Sequence, residues 1–196
     1  MKREAVIFRE TAETKVNLEL SLDGQGKSLL QAQLPFLEHM LVLMTHHGSF
    51  DLKVEAKGDL KGEHHHLVED LGLCLGQALR QAIGKKEGIN RYGHIILPMD
   101  EALVLVAVDL SGRPHLSYDL PLLPGKLGEL DVELVEEFLR AVVNEGKITL
   151  HVKKIAGYNR HHLVEALFKG LGRALKEATQ KSDDQNNSIP STKGVI

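Results

Sequence analysis

Tryptophan is absent from the sequence, cysteine occurs once, and aromatic residues make up only 4% of the 196 residues. The lone Cys74 cannot form an internal disulfide, and because it lies in an apolar helical pattern we expect a buried, unreactive thiol. The formal net charge of -3 provides no surplus of lysine and arginine for neutralising a phosphate backbone. Nucleic acid is therefore not an expected partner.

Long hydrophobic runs are also missing. The longest, such as residues 103–108, are far too short to span a bilayer, and the amino-terminal residues lead into no signal-peptide core. We therefore expect a soluble, cytoplasmic protein without a membrane partner. A chain of this length can bury one core, or two half-sized units that share one, so we expect one compact body.

Histidine, in contrast, is abundant, and most of the 11 histidines lie in clusters. The segment His-His-Leu-Val-Glu occurs at residues 65–69 and again, 96 positions later, at 161–165. The similarity continues beyond this segment, with 11 identities between residues 65–82 and 161–178. Self-similarity of this extent indicates an internal duplication.

Hydrophobic periodicity also predicts two similar halves. The first half contains predicted strands at 5–9, at 16–22 and ending near Leu34, then a helix at 36–45, a strand at 50–56 and a helix at 65–83. The second half contains predicted strands at 94–97, 102–110 and 115–118, a helix at 132–144, a strand at 147–152 and a helix at 161–180. The expected fold class is α+β, an internal duplication of two β-β-β-α-β-α halves, each a small sheet with helices on one face.

These elements place the first half at residues 1–84 and the second at 85–180. The remaining tail, residues 181–196, is rich in Ser, Asp, Asn and Gln and lacks periodicity. A segment of this composition is expected to be disordered in isolation.

The His-His-x-x-Glu spacing suits metal binding on a helix. Because each residue advances by about 100°, the two histidines and the glutamate of each copy share one sector of the helix surface. Adjacent histidines diverge too much to close on a single ion, which favours two metals that each take one histidine from a helix. Four imidazoles and two carboxylates suit Mn, Fe, Co or Zn rather than Mg or Ca. A solvated histidine pair is the alternative, but it does not explain why the whole set is duplicated.

The sequence resembles the imidazole glycerol phosphate dehydratases over nearly its entire length. The blocks that carry the resemblance are residues 9–14, 36–41, 47–52, 65–70, 88–93, 98–102, 109–114, 150–152, 161–169 and 188–194. Together they are highly specific to this family.

The resemblance implies loss of water from imidazole glycerol phosphate to give imidazole acetol phosphate, a step of histidine biosynthesis. It also implies two manganese ions per chain and a homo-oligomer of 24 chains. No neighbouring carbonyl group makes the departing proton acidic. Two Lewis-acid ions on the two ring nitrogens would therefore hold the substrate as an imidazolate and promote expulsion of the hydroxyl.

By the same matching, the implied metal ligands are His39, His65, His66, Glu69, His161, His162 and Glu165. For His39, whose helix is otherwise apolar, a buried core histidine is the alternative. Some relatives carry a histidine at the place of Glu137, which leaves the last ligand of that site open. His151 also remains open, as a ligand, as a residue behind the ligands or as part of the strand core.

Glu13 resembles the family's substrate-contacting glutamate and is the candidate for proton transfer, with a solvated glutamate at a strand end as the alternative. The other implied substrate-binding residues, several of which suit a phosphate, are His47, Arg91, Arg113, Ser191 and Lys193. A surface arginine is the alternative for both arginines. The resemblance further implies that the tail becomes ordered over the site, of its own or a neighbouring subunit.

Three residues depart from the family pattern. Glu38 stands where an aspartate is usual, His64 where an acidic residue is usual, and Leu67 where a threonine is usual. None of these departures removes a ligand. Glu38 and His64 can nevertheless alter the hydrogen bonds that orient the imidazoles.

Two other functions would use similar residues. A two-metal hydrolase would activate water with paired ions, but it would need a carboxylate-rich bridging set, and most candidate ligands here are imidazoles. A metal-storing or structural assembly would not explain Glu13, Arg91 and Arg113. The dehydratase interpretation covers all of these residues.

Overall fold

The computed structural model describes residues 2–58, 64–181 and 188–193. The first half contains, in order, β1 (Glu4–Glu10), β2 (Thr14–Ser21), β3 (Ser28–Gln31), α1 (Pro35–Gly48), β4 (Asp51–Gly58) and α2 (His65–Ile83). The second half contains β5 (Tyr92–Met99), β6 (Ala102–Asp109), β7 (His115–Asp119), β8 (Lys126–Leu127), β9 (Leu130–Asp131), α3 (Glu133–Gly146), β10 (Thr149–Ala156) and α4 (Arg160–Thr179).

The two four-stranded sheets have the same topology and register. Their strand orders are β1-β2-β4-β3 and β5-β6-β10-β7, and the last strand of each sheet runs parallel to its neighbour. Leu18 lies opposite Val54 in the first sheet, and Val106 lies opposite Val152 at the corresponding place in the second. The predicted duplication of two α+β halves is confirmed.

The helices cover one face of each sheet, because successive side chains of a strand point to opposite faces. In β2, Val16, Leu18 and Leu20 are buried, whereas Val6 and Phe8 of β1 are exposed on the other face. Helix α2 packs on β1 and β2, and α4 packs on β5 and β6. Because α2 also contacts α3 and α4 also contacts α1, the four helices form one layer between the two sheets.

Some details differ from the elements predicted by periodicity; strand β10, for example, extends to Ala156 instead of ending at residue 152. Strand β3 ends at Gln31 rather than near Leu34, because Gln33 adopts a left-handed φ of 61° and Pro35 begins α1. The pair β8 and β9 was not predicted, since strands of two residues are too short to show alternation.

Two expectations drawn from composition can be compared with the structure. Cys74 is buried, and burial raises the pKa of its thiol to about 12, as expected for an unreactive cysteine. In the described part of the chain, no helix is long and apolar enough to cross a membrane.

The halves are joined by two close helix crossings. Gly76 of α2 lies against α3, where a Cβ atom on Gly76 would be 2.5 Å from the Val142 carbonyl oxygen. Gly172 of α4 lies in the same way against α1, where a Cβ atom would collide with the Met44 carbonyl oxygen. The long helix of each half therefore meets the short helix of the other half at backbone distance.

Replacing Gly76 by alanine should destabilise the chain, because the new methyl group has no space at the crossing. We expect a loss of about 1–3 kcal/mol in the free energy of unfolding, measured in urea at one fixed protein concentration. Gly146→Ala is the matched control: it faces the same crossing, but its Cβ would lie 3.6 Å from the nearest atoms, an ordinary contact. Equal stabilities of the two variants would contradict the close crossing.

Candidate metal and substrate site

Three groups that can hold a metal ion come together from both halves. His39 lies on α1, and His161 and Glu165 lie one turn apart on α4. One ligand atom from each residue lies within 4.8 Å of the other two. Among the residues that the structure describes, no other group of three His, Cys, Asp or Glu side chains has this spacing. Two imidazoles and a carboxylate suit a divalent transition metal.

Glu165 is buried and is held by neighbours on its own helix. Its carboxylate lies 3.1 Å from His161 Nε2 and 2.6 Å from Lys169 Nζ, each one turn away. Burial alone would raise the pKa of Glu165, but the contacts with Lys169 and His161 outweigh burial and lower it. Glu165 is therefore ionised at neutral pH, which is the form that binds a metal.

His39 is exposed, which excludes the alternative of a buried core histidine. Phe36, about one turn earlier on α1, meets the His161 ring edge-on, with the ring centroids 5.4 Å apart. This contact keeps the start of α1 beside the start of α4. Glu38 accepts the Ala32 backbone N–H at 2.6 Å, so this departure from the family pattern fixes the loop before α1.

The second histidine of each duplicated segment contacts a glutamate that stands next to a strand. Glu101 lies 2.7 Å from Nδ1 of His162, and Glu13 lies 3.1 Å from Nδ1 of His66. The hydrogen bond from His162, followed by that from the Asn159 backbone, lowers the pKa of Glu101 to about 2. The same bond raises the pKa of His162.

Glu101 was not among the residues predicted for the site. Glu101 stands 88 positions after Glu13, and the same offset separates β6 from β2. The two histidine segments, in contrast, are 96 positions apart. Comparison of the halves through their strands as well as their helices would have identified it.

The candidates on α2 and α3 are less enclosed than those on α4. His65, His66 and Glu69 at the start of α2 are exposed, and Glu137 of α3 is half-buried. Within the described residues, no three of them approach one another as closely as the group on α1 and α4. Their roles as ligands stay predictions.

His47 lies near the end of α1, close to Lys169 and Arg173 of α4. Burial, followed by the proximity of Lys169, His46 and Arg173, lowers the pKa of His47. The imidazole is therefore neutral at pH 7. It borders a cavity of about 350 Å³ that is also lined by His94, Ile95, Arg173, Lys176, Glu177 and Gln180.

The two predicted arginines differ in the contacts they already make. Arg91 donates through Nε and Nη2 to Asp109 at 2.7 and 3.2 Å, and through Nη1 to the Pro190 carbonyl oxygen at 2.9 Å. These contacts use three of the five N–H donors of the guanidinium, so one N–H on each Nη atom is left for a phosphate. Arg113 is exposed, and its guanidinium makes a long hydrogen bond of 3.4 Å to the Ser111 carbonyl oxygen.

The described part of the tail lies against the second half. Gly88 donates its backbone N–H to the Ser188 carbonyl oxygen at 2.9 Å, and Arg91 binds the tail two residues later. Ser191 and Lys193 follow directly, with the Lys193 N–H donating to Ser191 Oγ at 3.2 Å. Residues 182–187 and 194–196 of the predicted tail lie outside the described part of the chain.

The fold and the site define an enzyme whose candidate metal ligands come from two copies of one structural unit. The chain matches the family model described as imidazoleglycerol-phosphate dehydratase over residues 32–175. It belongs to this family of hydro-lyases, which act on a phosphorylated imidazole substrate.

Individual relatives cover the whole chain. It is 55% identical to the imidazoleglycerol-phosphate dehydratase of Moorella thermoacetica and 53% identical to that of Acetivibrio thermocellus, over 100% of both chains in each pair. The crystal structure of the Staphylococcus aureus enzyme aligns with a TM-score of 0.83 and 42% identity over 91% of this chain and 99% of that one. The Pyrococcus furiosus enzyme, in complex with (S)-C348, aligns with a TM-score of 0.83 and 38% identity over 97% and 100%.

Replacing His39 by alanine removes the ligand that α1 contributes. Removal of a residue that only orients a metal ligand lowers metal affinity by about 10–100-fold. Loss of a ligand itself should therefore lower the Mn²⁺ affinity by more than about tenfold. Equilibrium dialysis with elemental analysis of bound manganese measures the change. His46→Ala, an exposed histidine on the same helix outside the group, is the control and should bind as the unaltered chain does. Equal affinities of the two variants would exclude His39 as a ligand.

Proposed function

We propose that the chain removes water from imidazole glycerol phosphate to give imidazole acetol phosphate, a step of histidine biosynthesis in the cytoplasm. The observation that carries this proposal is the approach of His39 to His161 and Glu165 across the two halves. Family membership supports the same reaction. A homo-oligomer of 24 chains, as the resemblance implies, is the proposed active assembly.

Two manganese ions per chain are part of the proposal. The first would be held by His39, His161 and Glu165, whose nitrogen and oxygen atoms converge and whose carboxylate is ionised. When bound, the ions supply Lewis acidity at the two ring nitrogens of the substrate, which favours the imidazolate form of the ring.

For the second ion, the chain offers His65 and Glu69 of α2. Glu137 is a better candidate than His151 for a further ligand. Helix α2 crosses α3 as α4 crosses α1, and Glu137 holds the place in α3 that His39 holds in α1. His151 is an exposed residue between buried residues of β10, so its side chain faces away from the helix layer.

Glu13 is the proposed base. Its side chain is 55% exposed, and its carboxylate lies at His66, where it can reach a substrate bound beside the histidines. It would take the proton from the carbon that becomes the ketone, while the ring-bearing carbon loses its hydroxyl group as hydroxide; the proton and the hydroxide together account for the water released. The resulting enol then converts to the ketone of imidazole acetol phosphate.

The phosphate is assigned first to Arg113, because its exposed guanidinium offers forked donors. Ser191 and Lys193 would add a hydroxyl and a charge from the tail. Arg91 would hold the tail through Pro190, and its two remaining N–H groups could add to the phosphate contacts. The neutral imidazole of His47 would contribute a hydrogen bond.

The reaction can be tested directly with imidazole glycerol phosphate and the assembled, Mn²⁺-loaded chain. The expected product is an enolisable ketone, detected by its absorbance in alkali and by its mass. Removal of the metal with a chelator should abolish product formation, and Mn²⁺ should restore it. A fully metal-loaded assembly that forms no ketone would refute the proposed function.

Glu13→Gln should retain its manganese and lose turnover, because the amide cannot take a proton. Loss of a general base lowers kcat by about 10²–10⁴-fold. Glu10→Gln is the matched control, since Glu10 is a nearby exposed glutamate whose contact is with Lys15, and it should keep near-normal turnover. A Glu13→Gln variant with unchanged kcat would exclude Glu13 as the base.

A further inference from the structure

A pair of glutamates occupies corresponding places in the two halves. Glu13 directly precedes β2, and Glu101 directly precedes β6. Each carboxylate contacts Nδ1 of the second histidine of a His-His-Leu-Val-Glu segment, with Glu13 at 3.1 Å from His66 and Glu101 at 2.7 Å from His162. The duplication has therefore produced two Glu–His pairs with the same connectivity.

The surroundings of the two carboxylates differ. Besides His162, Glu101 accepts the backbone N–H of Asn159 at 2.8 Å and that of Tyr158 at 3.4 Å, and its side chain is 28% exposed. The Glu13 side chain is 55% exposed, and its carboxylate contacts His66 alone among the residues that the structure describes. Glu101 accepts from three donors, whereas the Glu13 carboxylate has one described partner.

Glu101 also stabilises the start of α4. Asn159, whose backbone N–H it accepts, is the N-cap of this helix and accepts the backbone N–H of His161 and His162 at 2.9 and 3.4 Å. One carboxylate thus holds both the turn from which His162 projects and the ring of His162 itself.

The same contact determines which ring nitrogen of His162 is available. A carboxylate only accepts hydrogen bonds, so in the neutral ring Nδ1 carries the hydrogen and Nε2 keeps the lone pair that a metal needs. Asp100 Oδ2 lies 3.7 Å from Nε2, which is too far for a hydrogen bond. Carboxylates behind metal-binding histidines generally fix the ring in this way.

We infer that the two glutamates have divided their roles. Glu101 is a positioning residue that presents Nε2 of His162 to a metal ion, and Glu13 is left free to act on the substrate. The inference rests on the proposed function, since that function supplies the metal and the role of Glu13. Removal of Glu101 should therefore weaken metal binding through His162, and removal of Glu13 should leave metal binding intact.

Titration of Mn²⁺ alone into the assembled, metal-free chain tests this division by calorimetry. We expect Glu101→Ala to weaken binding at one class of site by about 10–100-fold. Glu13→Ala should bind Mn²⁺ as the unaltered chain does. In a His162→Ala background, Glu101→Ala should lose much less affinity, because the ring that it positions is gone.

A Glu101→Gln variant separates positioning from general damage to the fold. Its amide oxygen can still accept from Nδ1 of His162, so it should recover part of the affinity that Glu101→Ala loses. The inference is overturned if Glu101→Ala binds Mn²⁺ normally, if it loses as much affinity in the His162→Ala background, or if Glu13→Ala loses as much. The titration does not require turnover. A chain that binds Mn²⁺ normally but does not dehydrate the substrate would therefore contradict the proposed function and not this inference.

Discussion

Close contact between helices of opposite halves determines where the site forms. Gly76 and Gly172 carry no side chain, so each long helix approaches the short helix of the other half at backbone distance. The paired helices run in the same direction, because the start of α1 lies beside the start of α4 and their later turns meet at Gly172. Candidate ligands from the two halves therefore converge at the helix starts. A wider crossing would separate His39 from the residues of α4.

The duplicated halves share a backbone frame but differ in the side chains that surround each site. Glu165 is buried and paired with Lys169, whereas its counterpart Glu69 is exposed. Glu137 stands at the place of His39, so one crossing offers an imidazole where the other offers a carboxylate. The substrate has two chemically distinct ends, an imidazole ring and a phosphate. The two halves therefore do not need the same side chains around their sites.

The fold class and the duplicated candidate ligands on α2 and α4 could be read from local spacing: strand alternation and a repeated segment on one helix face. The role of His39 came only from family resemblance, since nothing local shows that an apolar helix such as α1 will face α4. Glu101 was missed because the offset between the halves is 96 positions at the histidines but 88 at the strands. The contacts of Arg91 with Asp109 and the tail depend on tertiary structure and have no local signal.

The most direct test is the position of manganese in crystals of the chain grown with Mn²⁺. An anomalous difference map recorded at the manganese absorption edge locates the ions without assumptions about ligands. A strong peak within coordination distance of His39, His161 and Glu165 is the predicted result. Well-occupied manganese elsewhere, with none at these three residues, would contradict a metal site built across the two halves.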